Sequence, residues 1–185
     1  AGFLEYLRLR GFSKLSGVDM TAAYVEQAKT RKTFDIEIGN AESLPFNNHT
    51  YDALVVEQVF EHLVNPIKAF QEARRVLKDG GVLGIGVPDA SKYADFYFFD
   101  FYWVLLREHI QHFDVAHLSE LAMRAGFEMV DYKQTTHAVM SKKMIMPTLY
   151  AIFRVSDSVP LITKNDMHSQ NLRQQLKDHV FEEKA

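Results

Sequence analysis

The sequence contains no cysteine in 185 residues, which excludes disulfide bonds, thiolate metal ligands and cysteine nucleophiles. It has no apolar run close to the ~20 residues that span a bilayer, and no signal-peptide pattern is visible. It also has no long basic stripe, and its net charge of -3 offers nucleic acid no strongly positive face. We therefore expect a cytoplasmic protein with neither a membrane nor a nucleic-acid partner.

The remaining composition is that of a globular protein. Hydrophobic residues make up 47% and charged residues 24% of the chain, which suits one domain with a sizeable core. We place this core in residues 1–156 and a polar, helical C-terminal tail in residues 157–185. An amphipathic helix is already under way at Phe3, so we expect a fragment that starts inside a structural unit.

Short apolar runs alternate with helical patterns along the chain. The strands that these runs predict are residues 14–19, 34–39, 51–56, 82–88, 127–132 and 149–155. The helices predicted around them are residues 3–10, 21–30, 66–78 and 118–125. This alternation is typical of an α/β protein with a largely parallel sheet. For the last two strands, which are joined by a long loop, the alternative is an antiparallel hairpin at one edge.

Asp19 ends the first predicted strand, and a helix follows at once. In an open α/β sheet, a carboxylate at this position faces ligands and can accept hydrogen bonds from the two hydroxyls of a ribose. The alternative is that Asp19 caps the following helix. The loops after the next strands carry polar residues to the same predicted edge, at 40–42, 57–58 and 88–89, and this convergence favours the ligand role.

The order and spacing of several segments resemble the class I S-adenosylmethionine-dependent methyltransferases, of the type 11/type 23-like kind. The segments that carry the resemblance are AGFLEYL at 1–7, GVD at 17–19, GNAESLPF at 39–46, YDALVV at 51–56, FEHL at 60–63 and LKDGG at 77–81. The resemblance implies a Rossmann-like, doubly wound, mostly parallel sheet with an antiparallel edge strand. It also implies that this chain lacks the family's first strand and most of its glycine-rich turn.

The resemblance implies a cofactor, S-adenosylmethionine, and a set of residues that bind it. Gly2 matches the last glycine of the turn, Asp19 the ribose-binding acid, and Met20 an apolar residue that packs on adenine. Asn40 stands where many members have an Asp that accepts the adenine amino group, and an amide oxygen can accept the same bond. Ala41 offers a backbone N–H to adenine, and Glu57 borders the methionine moiety. The alternatives are a terminal role for Gly2, a core or surface role for Met20 and a turn role for Asn40.

Residues 89–113 form an aromatic-rich insert on the acceptor side of the predicted site. Such rings can exclude water and favour an apolar or aromatic small-molecule acceptor. The alternatives are that they fill a core beside the sheet or form a homodimer contact. Three histidines near this insert, His62, His109 and His112, are candidates for a general base, although each can instead be a hydrogen-bonded structural residue.

We predict no metal site. Ubiquinone-type O-methyltransferases, which resemble the stretch around Gln58, Glu61 and His62, carry Glu at the first of these positions, and a divalent cation is implied there. Gln58 removes one charged ligand, which leaves a poor site for a hard cation. His109 and His112 have a zinc-like spacing but no evident third ligand.

The sequence therefore predicts methyl transfer from S-adenosylmethionine to a small-molecule acceptor. Two rivals remain: a non-catalytic binding protein on the same fold, and a fragment that binds the cofactor poorly.

Overall fold

The computed structural model describes residues 2–30, 34–95, 108–139 and 144–156. The helices are α1 (Gly2–Leu9), α2 (Ala22–Lys29), α3 (Pro66–Val76) and α4 (Val115–Arg124). The strands are β1 (Ser16–Asp19), β2 (Asp35–Ile38), β3 (Tyr51–Glu57), β4 (Leu77–Pro88), β5 (Phe127–Val139) and β6 (Met144–Val155). Two 3-10 turns lie at Phe60–His62 and Ala90–Asp95. The tail at 157–185 and residues 96–107 of the predicted insert lie outside the described residues.

These strands form an α/β fold with both parallel and antiparallel pairs, as predicted. Strands β1 and β2 pair in parallel, and β3 and β4 pair in parallel in a second sheet of order β3-β4-β6-β5. Strand β6 is antiparallel to both of its neighbours. The predicted hairpin at one edge is therefore present as β5–β6, and the reversed strand β6 is the second from that edge.

The two sheets are separate in the part of the chain that the structure describes. A doubly wound sheet has the strand order 3-2-1-4-5-6. The order β2-β1 fits positions 3 and 2, and β3-β4 fits positions 4 and 5, so position 1 is the one without a described strand. Strand β3 is accordingly at an edge, and Val55 in its middle is 49% exposed, although its apolar sequence predicted a strand covered on both faces.

Several elements differ in length from the prediction. Helix α3 ends at Val76, because Leu77 adopts extended backbone angles and begins β4. The predicted helix end at 79–81 is instead an irregular part of β4, with Gly80 at a φ of 71°. Helix α4 begins three residues early, since the side chain of Asp114 accepts a hydrogen bond from the backbone N–H of His117 at 2.9 Å, a typical N-cap.

The core lies between the four-stranded sheet and helices α3 and α4. Phe70 of α3 is fully buried, and its ring lies 5.9 Å from that of Phe153 and 4.8 Å from that of Phe60. The ring of Phe113 also packs edge-to-face on that of Phe60, at 6.3 Å. This aromatic cluster places the turn after β3 and the segment before α4 on the same core. None of the helices in the described ranges is long and apolar enough to cross a membrane.

Arg75 of α3 fastens the loop between β2 and β3 to this core. Its guanidinium donates hydrogen bonds to the backbone carbonyl oxygens of Leu44 and Phe46, at 2.9 and 2.6 Å, and to the Asn48 side chain at 2.9 Å. Glu72 accepts two more from Arg75, at 2.8 and 2.7 Å, and one from the Leu44 backbone N–H at 2.8 Å. Because the Arg–carboxylate pair is bidentate, it fixes direction as well as distance.

Replacing Arg75 with Met should lower the free energy of unfolding by roughly 2–3 kcal/mol, because charge-assisted hydrogen bonds are lost and Glu72 keeps a partly buried, unpaired charge. Urea denaturation of both proteins measures the difference. Lys68→Met, an exposed change on the same helix, is the matched control and should stay within about 0.5 kcal/mol of wild type. An effect of Arg75→Met no larger than that of the control would contradict this role.

The ionised Glu72 side chain should also make the free energy of unfolding depend on pH in the acid range. Hydrogen bonding from Arg75 holds the pKa of Glu72 below its ordinary value of 4.5, against the opposing effect of burial. Its stabilisation is therefore present above that value and is lost as the pH falls through the lowered pKa. Urea denaturation at a series of pH values from 6 downward measures this. The free energy of unfolding should fall less steeply with pH in Glu72→Gln than in wild type. Glu120→Gln, at an exposed position, should keep the wild-type slope.

Candidate functional site

The carboxyl ends of the strands meet at one rim, as the sequence predicted. The backbone N–H of Gly39 donates to the carbonyl oxygen of Asp19 at 3.2 Å, which joins the ends of β1 and β2. The carboxylate of Glu42 accepts a hydrogen bond from the backbone N–H of Asn65 at 2.9 Å, which joins the loop after β2 to the start of α3. Glu57 at the end of β3 is in register with Gly86 of β4. Polar residues at or just after the ends of β1, β2 and β3 therefore border one edge, beside the end of β4.

Asp19 lies exposed at the end of β1. One of its carboxylate oxygens, Oδ1, accepts a hydrogen bond from the backbone N–H of Thr21 at 2.8 Å, at the start of α2. This bond closes a turn onto Thr21, the N-cap residue of α2, which has no side-chain capping hydrogen bond of its own. The second oxygen accepts no hydrogen bond from the described residues, so the same carboxylate can serve the turn with one oxygen and a ligand with the other.

The other residues predicted to bind the cofactor are mostly open to solvent. Met20 is 72% exposed, and Asn40 is exposed, with its backbone carbonyl accepting the N–H of Ser43 at 3.1 Å. The backbone of Asn40 therefore forms the turn while its side chain stays outside. Ala41 is partly buried against the core. Gly2 begins α1, and a Cβ added there would meet nothing within 4 Å, so packing gives no reason for a glycine at this position.

Glu57, Gly86 and Tyr150 form a row across three adjacent strands. Gly86 pairs with Glu57 on one side and with Tyr150 on the other. The Glu57 carboxylate lies directly over Gly86, where an added Cβ would overlap its oxygens. Burial, followed by the charge of Glu57 and a hydrogen bond to it, raises the pKa of the Tyr150 phenol. The bare glycine thus lets a carboxylate and a phenol meet across β4, a contact that no local pattern predicts.

Gln58 follows Glu57 in a backbone conformation that is uncommon for a residue with a side chain. Its φ is 53°, and its N–H donates to the Gly86 carbonyl oxygen at 2.8 Å. Its side-chain Nε2 is buried and donates to no acceptor within the described residues. Uncommon backbone conformations and buried donors without an acceptor are both found more often at functional sites than elsewhere.

Glu61 is the most unusual charged residue of this rim. It is 1% exposed, and neither carboxylate oxygen accepts a hydrogen bond from any described residue. Its pKa is raised to about 7, mainly by burial and to a smaller extent by the charge of Glu57, while its own backbone N–H and the neighbouring His62 oppose the shift. A carboxylate that is out of water without donors is costly unless a proton or a cation accompanies it.

The segment at 108–113 lies against the turn that holds Glu61. The backbone N–H of Gln111 donates to the Glu61 carbonyl oxygen at 3.0 Å, and the Nδ1 of His62 lies 2.7 Å from the Glu108 carbonyl oxygen. These two bonds bring the ring of His109 to 4.9 Å from that of His62, in an edge-to-face arrangement. Two of the three predicted histidines therefore stand together beside Glu61.

His112 contacts a different residue. Its Nδ1 lies 3.2 Å from the hydroxyl of Tyr93, and the two rings are perpendicular at 5.6 Å. Burial, with the charge of His109, lowers the pKa of His112, so its imidazole is neutral at pH 7. Burial raises the pKa of Tyr93, helped by the charges of Glu61 and Asp89, so its phenol keeps its proton.

Asp89, after β4, is fully buried within a polar network. One carboxylate oxygen accepts from the N–H and the hydroxyl of Ser91, at 3.1 and 2.6 Å, and the other accepts from the side chain of Gln134 at 2.7 Å. The loop at 88–89 was expected at the rim, whereas Gln134 was not. Gln134 comes from the middle of β5, and only the strand register brings it there.

Comparison with known proteins identifies relatives for this arrangement. Residues 1–85 match the family model described as "Methyltransferase domain". Over 119 residues, the chain is 31% identical to a Mycolicibacterium smegmatis protein named as a probable S-adenosylmethionine-dependent methyltransferase, a match that covers 64% of this chain and 45% of the relative. Over 122 residues it is 32% identical to the Escherichia coli ubiquinone/menaquinone biosynthesis C-methyltransferase, covering 55% of this chain and 49% of the relative. The chain thus spans less than half the length of these curated relatives.

The fold is also found among solved structures. A chain from the complex between the Haloferax volcanii Trm112 methyltransferase activator and its candidate methyltransferase superposes with a TM-score of 0.69 at 17% identity. The match covers 84% of this chain and 78% of that chain. At this identity the likeness concerns the fold, and it agrees with the Rossmann-like class predicted from the sequence.

The row of Glu57, Gly86 and Tyr150 can be tested by filling the space over Gly86. Gly86→Ala should push the flexible Glu57 side chain aside at little cost in stability, and so lower the pKa of Tyr150 toward its ordinary value. A 13C NMR titration of labelled tyrosines measures this pKa, with Tyr150→Phe to assign the signal. Gly84→Ala, whose Cβ would make only ordinary contacts at 3.8 Å or more, is the control; an equal pKa in both alanine variants would disprove the contact.

Proposed function

We propose that this protein, a member of the class I S-adenosylmethionine-dependent methyltransferase family, transfers a methyl group to a small-molecule acceptor. The observation that carries the proposal is the shared rim. Residues predicted for a nucleoside-bearing cofactor lie along the ends of β1, β2 and β3, and a buried carboxylate with two histidines lies beside the end of β3. One side of this rim suits a cofactor and the other suits proton transfer.

The cofactor side is supported by open hydrogen-bonding groups. Asp19 has a carboxylate oxygen with no partner among the described residues, which can accept a hydrogen bond from a ribose hydroxyl. The exposed amide of Asn40 can accept from an adenine amino group, next to the backbone of Ala41. Met20, which is exposed beside Asp19, can pack on a purine, and Gly2 leaves room for close approach. Glu57 and the unsatisfied Nε2 of Gln58 would border the amino acid end.

The acceptor side is supported by the histidines. S-adenosylmethionine, when bound, supplies an electrophilic methyl group on a positively charged sulfur. The protein would align the acceptor in line with that group and keep water away. The proton that the acceptor loses would pass to an imidazole nitrogen of His62, His109 or His112. Burial lowers the pKa of His112, so its imidazole is neutral and can accept a proton at pH 7.

We further propose that the acceptor is apolar or aromatic. Tyr93 is buried beside His112, and the rings of Phe60 and Phe113 lie beneath the turn that holds Glu61. The Escherichia coli relative, by its name, acts in ubiquinone and menaquinone biosynthesis as a C-methyltransferase. A ring-bearing acceptor of this chemical kind would fit an aromatic wall.

Calorimetry with S-adenosylmethionine and its product S-adenosylhomocysteine tests the proposal directly. We expect both to bind, and we expect Asp19→Ala to weaken binding by ~1–3 kcal/mol, because a hydrogen bond to a charged group is lost. Asp19→Ser is the matched variant, since a serine oxygen can still accept from the backbone N–H of Thr21. It should restore stability to α2 without restoring affinity.

Two results would count against the proposal. If neither compound binds, the fold serves another role. If Asp19→Ala leaves affinity unchanged while it lowers stability, then Asp19 serves only the start of α2.

A further inference from the structure

Glu61, His62 and His109 bring three potential ligand atoms together from two segments that are far apart in the chain. One carboxylate oxygen and one ring nitrogen from each histidine all lie within 4.8 Å of one another. Glu61 Oε1 and His62 Nε2 are separated by 3.7 Å. This is the one group of its kind found in the described ranges.

We propose that Glu61, His62 and His109 bind a divalent transition-metal ion, with Zn2+ as the best match. This goes beyond methyl transfer, because the site can bind an ion whether or not a methyl donor is present.

The buried carboxylate is the first reason. Glu61 is 1% exposed and receives no hydrogen bond from the residues that the structure describes. Buried charges in proteins are paired or coordinate metals. The nearest positively chargeable group in contact with it is the imidazole of His62, which is 41% exposed at its side chain and too far away for a hydrogen bond.

The orientation of His62 is the second reason. Its Nδ1 lies 2.7 Å from the Glu108 carbonyl oxygen, and since a carbonyl only accepts, Nδ1 carries the proton. In the neutral ring Nε2 then has the lone pair, and Nε2 is the atom that approaches Glu61. Metal-ligating histidines commonly donate their other N–H to a backbone carbonyl, which fixes the ring and its tautomer.

The spacing of the atoms is the third reason. Ligand atoms at ~2.1 Å from a tetrahedral Zn2+ lie about 3.4 Å from one another. The separation of 3.7 Å between Glu61 and His62 is close to this value, and a ring nitrogen of His109 lies within 4.8 Å of both atoms. Two imidazoles and one carboxylate leave the fourth position open, as in catalytic zinc sites.

The sequence alone predicted no metal site, because it grouped the candidate ligands differently. It considered Gln58, Glu61 and His62 as one set and His109 with His112 as another, and each set lacked a ligand. The fold instead joins His109 to the first set, and two nitrogen ligands favour a transition metal over Mg2+. With an ion bound, the lone pairs of His62 and His109 are committed to it, which leaves His112 for proton transfer.

The test is metal binding by the whole chain after treatment with a chelator. Zn2+ should bind with one equivalent per chain in competition with a chromophoric chelator. Bound Co2+ should show visible absorption of the strength that is typical of four- or five-coordinate cobalt. Glu61→Gln, a change of nearly the same size, and His109→Ala should each weaken binding at least tenfold. Circular dichroism checks that both variants fold.

His117→Ala is the matched control, because His117 also lies beside a buried carboxylate, Asp114, at 2.9 Å, and no third ligand joins that pair in the described residues. Zn2+ affinity should be unchanged in this variant, and excess Mg2+ should not displace Zn2+. The proposal is overturned if no Zn2+ binds, if Glu61→Gln and His109→Ala bind it as wild type does, or if Mg2+ competes equally and the histidines prove irrelevant. Calorimetry with S-adenosylmethionine reports separately on methyl transfer, so failure of either proposal leaves the other standing.

Discussion

The bidentate pairing of Glu72 with Arg75 determines how the two sheets of this protein are held together. No described strand hydrogen bonds to both β1 and β3, so the β1–β2 pair cannot take its position from the four-stranded sheet through a shared ladder. The loop between β2 and β3 does this work instead. Arg75 binds two of its carbonyl oxygens, and Glu72 binds one of its N–H groups. The residues that would contact adenine, Asn40 and Ala41, lie in the first part of this same loop.

The other side of the rim depends on a second connection of the same physical kind. The turn at Phe60–His62 and the segment at 108–113 are joined by hydrogen bonds to backbone atoms, over a core of packed aromatic rings. Buried backbone groups must be paired, and pairing them here sets His109 beside His62. Loop contacts thus position both halves of the rim. The parallel strands determine only at which edge of the sheet the rim lies.

The sequence predicted best those site residues whose position follows from where they stand relative to a strand end. Asp19 is the last residue of a predicted strand, and Asn40 and Glu57 each come directly after one; parallel strands bring such residues to one edge, so their neighbourhood could be predicted. The end of α3 could not, because Leu77 leaves the helix to pair with Tyr51, a tertiary contact that overrides helix propensity. Tyr150, Gln134 and the grouping of His109 with Glu61 were missed for the same reason. Each is the product of a register or a loop contact between segments far apart in the chain.

The reversed direction of β6 has a consequence for where functional residues occur in the chain. Parallel strands deliver their last residues to the rim, whereas an antiparallel strand delivers its first. Thr148 and Tyr150 lie before and at the middle of β6, and they pair with Pro88 and Gly86 at the end of β4. A substitution at Thr148 would therefore lie near the site, whereas one at Arg154, which pairs with Val82, would lie toward the other end of the sheet. Along β6, therefore, distance from the site increases toward the end of the strand, whereas along β3 and β4 it decreases.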